Sequence, residues 1–355
     1  MSPPAPRAQP ELPSSSAPES QARAIRERAL QLGFDQVGFC DAARPPEMER
    51  FERWLDAGMH GAMGWLERGR ARRLDPRLVL DGARSFIVVT QDYAREPSGV
   101  FPLASDPAVP RGGVSRYAAG PDYHRDLGER LAVLERFVET AAPGHRALAY
   151  VDTGPLLERL WAARAGIGWI GKNAMVLNKE HGSYFFLGVI LTTLPLPPAE
   201  PASDQCGSCT LCVEACPTGA IVDAGVVDSR RCIAYHTIEL RGPVPEEHRA
   251  AIASRVFGCD DCQDVCPWNR PVVEAPALDL SALLTMTQEE YQARFHDSAM
   301  RRATWQGLRR NAALAMGNAG DASALPLLSR VAADEREDEV VREQAAWSAA
   351  RLSRS

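Results

Sequence analysis

The sequence predicts three parts in series: an α/β or α+β domain over residues 19–195, a small cysteine-rich domain over 196–275, and an α-helical repeat over 276–355. Three observations predict them. Short β-branched and aromatic runs alternate with segments of helical spacing through the first part. Eight of the nine cysteines crowd between Cys206 and Cys266. Finally, Arg309-Arg310-Asn311-Ala312-Ala313-Leu314-Ala315-Met316 returns 33 residues later as Arg342-Glu343-Gln344-Ala345-Ala346-Trp347-Ser348-Ala349. Alanine-rich helices at that period are typical of paired-helix solenoids of the HEAT type, and two copies are too few to stand without packing on the preceding domain.

Composition narrows the class. At 355 residues, 45% hydrophobic and 24% charged, the chain is of ordinary globular make-up. A net charge of −6 gives no overall attraction to nucleic acid, so any such contact needs local basic clusters. No apolar run reaches the roughly 18 residues of a membrane span. Residues 1–18 are rich in Pro, Ala and Ser, without an apolar signal core or a twin arginine, and read as a disordered leader. A cytoplasmic, monomeric protein is the expectation.

In the first part, a helix begins at Glu19 with Ala24, Ile25, Ala29, Leu30 and Leu32 on one side and stops at Gly33. Phe34–Phe39 is strand-like and ends at Cys40, a small buried hydrophobe outside the cysteine cluster. A helix over Glu47–Ala57 leads to the Gly/Met stretch Gly58–Gly64 and the basic run Arg68, Arg70, Arg72 and Arg73, either a solvated helix end or an anion-binding surface. Ser85–Thr90 is a compact strand, and the Pro/Gly signals over 95–115 predict a loop. Asp122–Thr140 resumes helical spacing around Leu127, Leu131, Leu134, Phe137 and Val138. Ala147–Val151 and Tyr184–Leu194 complete the strands.

Asp152 stands where a strand ends, before Thr153-Gly154-Pro155. Strand ends at loops often carry chemistry, but Asp before a Pro-led helix is also a common N-cap. Gly166-Ile167-Gly168-Trp169-Ile170-Gly171 is a literal G-x-G-x-x-G, yet it follows the helical segment Leu156–Ala165 rather than a strand, and Ile190–Leu194 offers no acidic residue. Those glycines are expected to admit a flat ligand or a neighbouring strand.

The cysteines are the strongest signal. Cys206-x2-Cys209-x2-Cys212-x3-Cys216-Pro217 has bacterial ferredoxin spacing, and Cys259-x2-Cys262-x3-Cys266-Pro267 repeats its ending with the lead cysteine moved up to Cys232. In such pairs the cysteine before proline ligates the other cluster. Cys206, Cys209, Cys212 and Cys266 are therefore assigned to one [4Fe–4S] cluster, and Cys216, Cys232, Cys259 and Cys262 to the second. Structural zinc favours paired CxxC knuckles, and a disulfide framework needs an oxidising compartment; neither suits this pattern. Asp122-Tyr123-His124-Arg125-Asp126-Leu127-Gly128 approaches the D-x-H-x-x-G pattern of a cobalamin lower ligand but has one residue too many, so His124 reads as a capping or surface histidine.

Together with Tyr150-Val151-Asp152-Thr153-Gly154-Pro155-Leu156-Leu157-Glu158-Arg159, Gly168-Trp169-Ile170-Gly171-Lys172-Asn173, Arg116-Tyr117-Ala118, Thr237-Ile238-Glu239-Leu240-Arg241-Gly242 and Phe257-Gly258-Cys259-Asp260-Asp261-Cys262-Gln263-Asp264-Val265-Cys266-Pro267-Trp268-Asn269, the cysteines make the chain closely resemble the epoxyqueuosine reductase family from about residue 20 onward. That resemblance implies an α/β (α+β) cobalamin-binding domain, a dicluster ferredoxin-like domain and a HEAT-like tail that helps hold tRNA. It implies reduction of epoxyqueuosine at the tRNA wobble position to the alkene of queuosine, by cobalamin fed from two [4Fe–4S] clusters. The catalytic aspartate falls on Asp152, and Arg73, Arg116, Tyr117, Asp152, Trp169, Lys172 and Asn173 are the implied corrin contacts, without a histidine below the cobalt.

The reaction takes up two electrons and two protons and releases the epoxide oxygen as water. An acid is needed beside that oxygen, and a carboxyl against an apolar corrin face is expected to have its pKa raised into the useful range. An external one-electron donor such as a flavodoxin or ferredoxin is implied. Contacts to the anticodon stem-loop are expected from Arg230, Arg231 and Arg241 near the cysteines, and from Arg301, Arg302, Arg309 and Arg310 at the start of the tail. A reductive dehalogenase-like enzyme is the nearest alternative, although those enzymes usually carry an export signal and lack the tail. A dicluster electron-transfer ferredoxin is the other, and it leaves the first domain without a role.

Overall fold

The structure is a computed structural model that describes residues 18–93, 110–269 and 274–354; the leader lies outside them. The first part is built on a four-stranded sheet in the order Gln36–Asp41, Ser85–Asp92, Phe185–Thr192, Ala147–Tyr150. Every neighbouring pair is antiparallel, so the alternation of strands and helices resolves to α+β. The central strand Ser85–Asp92 buries both faces, with Phe86, Ile87, Val88 and Val89 all 0% exposed, and that explains its continuous apolar run.

Helices cover both faces. On one side Ile25 and Ala29 of the helix Pro18–Gln31 meet Leu127, Leu131, Leu134 and Val138 of the helix Tyr123–Ala141. On the other, Met48 and Phe51 from the helix Met48–Asp56 lie on the face where Trp161 stacks on Phe86 at 4.0 Å. Cys40 is packed there beside the Trp161 carbonyl, and burial pushes its thiol up to about 12, which makes it an inert core residue.

One expected loop is partly a strand. Within 95–115, residues 95–109 lie outside the described residues, but Arg111–Val114 pairs in parallel with Arg255–Phe257 and antiparallel with Ala277–Asp279. Gly112 signals a turn in sequence, yet here it permits close packing, for a Cβ there would meet Val256 at 2.5 Å and Leu280 at 2.6 Å. This small sheet ties the first part to the cysteine segment and to the tail. In the tail, Glu339–Leu352 packs against both Trp305–Ala319 and Leu325–Ala333. Gly317 lets two of these helices approach, since a Cβ would lie 2.5 Å from Ser348. Among the described residues no helix is long and apolar enough to cross a membrane.

Candidate active site

The cysteines come together as two groups. Cys206, Cys209, Cys212 and Cys266 line one cavity with Lys172, Asn173, Leu177, Leu211, Pro267 and Trp268. The second group gathers around Cys262, whose thiol is raised by burial and then by Cys259 and Cys232, with Cys212 and Cys216 behind them. Gly207 and Gly258 adopt φ of +50° and +74°, the left-handed turns these loops need. All nine cysteines are free of disulfides. Crowded, buried thiols resist ionisation, and a cationic iron–sulfur core reverses that preference. The residues present therefore fit two cubane clusters.

Several implied corrin contacts bond these loops. The Lys172 ammonium donates to the Gly207 and Cys209 carbonyls at 2.8 Å each. Asn173 donates to the Cys262 carbonyl at 3.1 Å and accepts from Met175 N. Arg116 is held by Asp264 at 2.7 Å and Asp260 at 3.1 Å, with its guanidinium over the Tyr184 ring. These contacts fasten the first domain to the cluster loops. Arg73 is buried, its guanidinium 5.2 Å from the Trp65 ring. Gly168 explains the misleading glycine motif: a Cβ there would lie 2.1 Å from the Leu177 carbonyl, so the neighbouring strand requires it.

Asp152 sits beyond the strand Ala147–Tyr150 with φ of +58°, a left-handed conformation uncommon for a residue with a side chain. It does not cap the following helix. That helix runs Glu158–Arg164 with Leu157 at its N-cap, so the N-cap reading fails. Its carboxylate, 66% exposed, accepts from the Tyr123 hydroxyl at 2.9 Å and lies 3.7 Å from His124 Nε2. The Asp152 N–H donates to Glu158 Oε1 at 2.7 Å.

The protein groups alone shift Asp152 downward. His124 holds its carboxyl below the usual carboxylate range, with burial opposing and Tyr123 assisting. Burial raises Glu158 well above its ordinary value, and the neighbouring Asp152 charge raises it further. For His124, burial disfavours the charged ring, but Asp152 and Asp122 outweigh it and the histidine titrates above normal. Tyr123, Glu158 and Arg159 were legible only as members of a motif.

Aromatic side chains flank Asp152. Tyr117 and Tyr123 meet edge to face at 6.2 Å, and Tyr123 stacks on Phe186 at 4.1 Å. Nearer the cysteines, Trp169 packs edge to face on Trp268 at 5.2 Å and keeps a buried indole N–H with no protein partner, a donor that a ligand carbonyl would satisfy. These residues fit a cobalamin.

The basic residues divide. Arg310 is 1% exposed and donates to the carbonyls of Leu240, Gly242 and His236; Arg309, at 7%, donates to the Leu284 carbonyl and pairs with Glu337. Both are structural, which corrects their assignment to RNA. Arg230 is exposed but forked onto Asp228, and Arg241 is exposed while bonding the Ile238 and Arg302 carbonyls. Arg231 and Arg301 are exposed. Arg302 pairs with Glu239 at 2.8 Å and lies 5.8 Å from the Trp65 ring.

Comparison with known proteins matches the same features. The family described as "Epoxyqueuosine reductase QueG, DUF1730" matches residues 73–153, and a 4Fe-4S double cluster binding domain matches 205–269. The chain is 41% identical over 309 residues to an epoxyqueuosine reductase of Vibrio cholerae, covering 84% of this chain and 83% of that one. It is 43% identical over 318 residues to one of Gloeobacter violaceus, covering 84% and 97%. The chain belongs to the epoxyqueuosine reductase family. A crystal structure of an epoxyqueuosine reductase with an epoxyqueuosine-modified tRNA-Tyr stem loop superposes with a TM-score of 0.86 at 33% identity, over 95% of this chain and 91% of that one. An epoxyqueuosine reductase from Bacillus subtilis, with an aspartate catalytic loop swung out of its active site, has a TM-score of 0.84 at 31% identity, over 95% and 91%.

Proposed function

We propose that this epoxyqueuosine reductase delivers a proton through Asp152 to the oxygen leaving the epoxide of a wobble epoxyqueuosine, yielding the alkene of queuosine on an anticodon stem-loop. The observation that carries this is the Asp152 carboxylate, exposed and wired to Tyr123 and His124. Family membership supports the reaction itself and favours it over a dehalogenase or a simple electron carrier.

Cobalamin, when bound, supplies a low-valent cobalt that reduces the strained C–O carbon. Tyr117, Tyr123 and Trp169 are the residues best placed to hold it. The clusters supply electrons singly; Cys206, Cys209, Cys212 and Cys266 would hold one, and Cys216, Cys232, Cys259 and Cys262 the other. The protein's own part is to fasten these loops through Lys172, Asn173 and Arg116, to hold Asp152 in its exposed position, and to present a proton where the oxygen departs. A base reaching this site leaves its stack, as for other base-modifying enzymes. Arg231, Arg301 and Arg302 are the side chains from which a stem-loop contact is expected, together with Arg230 and Arg241, and the tail is proposed to act as a HEAT-like support. A small one-electron carrier is the proposed donor.

The test is conversion of an epoxyqueuosine stem-loop by anaerobically loaded protein. Asp152→Asn is expected to keep its iron and corrinoid and lose turnover. Near-normal alkene formation by that variant discards the assignment.

A further inference from the structure

The segment Asp122-Tyr123-His124, which the sequence left as a helix start, meets Asp152 in the fold. Asp122 is the N-cap of the helix Tyr123–Ala141, its carboxylate accepting from His124 N. The same oxygen lies 2.7 Å from His124 Nδ1. With Nδ1 engaged, the ring directs Nε2 at Asp152 Oδ2, 3.7 Å away. The order Asp122, His124, Asp152 is thus a line of three groups, partly buried at Asp122 and exposed at Asp152. We propose that His124 is a positioning residue that stores the proton Asp152 delivers and that Asp122 holds its ring for that transfer.

The inference rests on the proposed role of Asp152 and completes it. An aspartate whose pKa is held down by its neighbours is a poor source of a proton, whereas the His124 ring beside it, raised by Asp152 and Asp122, is a better one. On delivery the Nε2–H bond breaks and an Oδ2–H bond forms; that bond then breaks as O–H forms on the departing oxygen. His124 is left neutral and regains a proton from water. No electrons move in these steps, and the electron pair comes from the established reductive activity.

The charged groups around the pair suit this. From the same helix come Asp122 and Tyr123, and from the helix Glu158–Arg164 come Glu158 and Arg159, both felt by Asp152. Tyr117 faces it from the turn Arg116–Ala118, and Arg302 from the tail. Asp122 N donates to the Asp297 carbonyl, and Asp297 is paired with Arg125, so that carboxylate is already neutralised. His124 is only partly buried, with a side chain 34% exposed, so its replacement leaves the core intact.

The sign of the pH effect follows. The stored proton is present below the raised pKa of His124 and is lost as pH rises through it, so turnover should fall on an alkaline limb set by this ring. His124→Gln should lower neutral-pH turnover about tenfold and remove that limb. Asp122→Asn keeps a good N-cap while removing the charge, and should move the limb to lower pH. Independently of turnover, NMR titration of the His124 ring in corrinoid-free protein should give a lower pKa in Asp152→Asn and in Asp122→Asn than in the unsubstituted chain. A His124→Gln enzyme with an unchanged pH profile, or a ring titration indifferent to both aspartates, overturns the inference. If Asp152→Asn is inactive while either of those results holds, the storage role alone fails; if Asp152→Asn is active, the reading beneath it fails.

Discussion

Asp152 and Glu158 are joined by one hydrogen bond, from the Asp152 N–H to Glu158 Oε1 at 2.7 Å, and their carboxyls are shifted in opposite directions. The bond holds the left-handed Asp152 backbone in place, and the Asp152 charge is one of the causes that raise Glu158 above its ordinary value.

Glu158→Gln retains an oxygen acceptor and is expected to keep most activity. Glu158→Ala leaves the Asp152 N–H without its partner, a loss of about 1 kcal/mol, and turnover should fall roughly fivefold at that cost. Single-turnover conversion of modified stem-loop by both variants checks this. Equal losses would mean that the charge matters and the N–H bond does not.

Lys172 fastens the first cluster loop through two carbonyls, and charge-assisted bonds of this kind contribute about 1.5–3 kcal/mol each. Lys172→Met should release the loop carrying Cys206 and Cys209. Iron retained per chain after anaerobic gel filtration should drop, and the remaining cluster should titrate at a more negative potential, because a nearby positive charge favours its reduced form. Unchanged iron content and potential would contradict the bracing role.

What could be read in the sequence was what local pattern encodes. The cysteine spacing carries the cluster loops, and the 3.6-residue stripe of Leu127, Leu131, Leu134 and Val138 carries a core helix. Long-range decisions were not legible. Arg309 and Arg310 look like a basic patch beside an alanine run, but both charges turn inward to carbonyls and carboxylates far away in the chain. Gly112 and Gly113 look like a turn until their strand partners are known. His124 and Asp152 are 28 positions apart, and nothing local says that their side chains meet.

Arg310 gives the sharpest separation of stability from binding. Burial and the neighbouring Arg241 push its guanidinium down to about 10, yet its donors occupy three backbone carbonyls. Arg310→Met strands those carbonyls in the interior, at a cost of about 3 kcal/mol or more. Thermal unfolding should fall by several degrees. The salt dependence of stem-loop binding, measured below the new transition, should be unaffected; a flattened dependence would place this arginine on the RNA after all.

Arg231 and Arg301 present the opposite case, since both are exposed. Each phosphate neutralised releases condensed counterions, so removing one contact lowers the slope of log affinity against log salt by roughly 0.7–0.9. Arg231→Gln and Arg301→Gln should each flatten that slope while leaving thermal unfolding unchanged. Arg302 differs because Glu239 already neutralises it. Glu239→Gln frees that guanidinium for a phosphate, so this variant should bind the stem-loop more tightly at low salt and show a steeper slope. Fluorescence anisotropy with a labelled stem-loop across a salt series measures all three. A Glu239→Gln variant that binds no better than the unsubstituted chain would show that Arg302 keeps its charge for the protein.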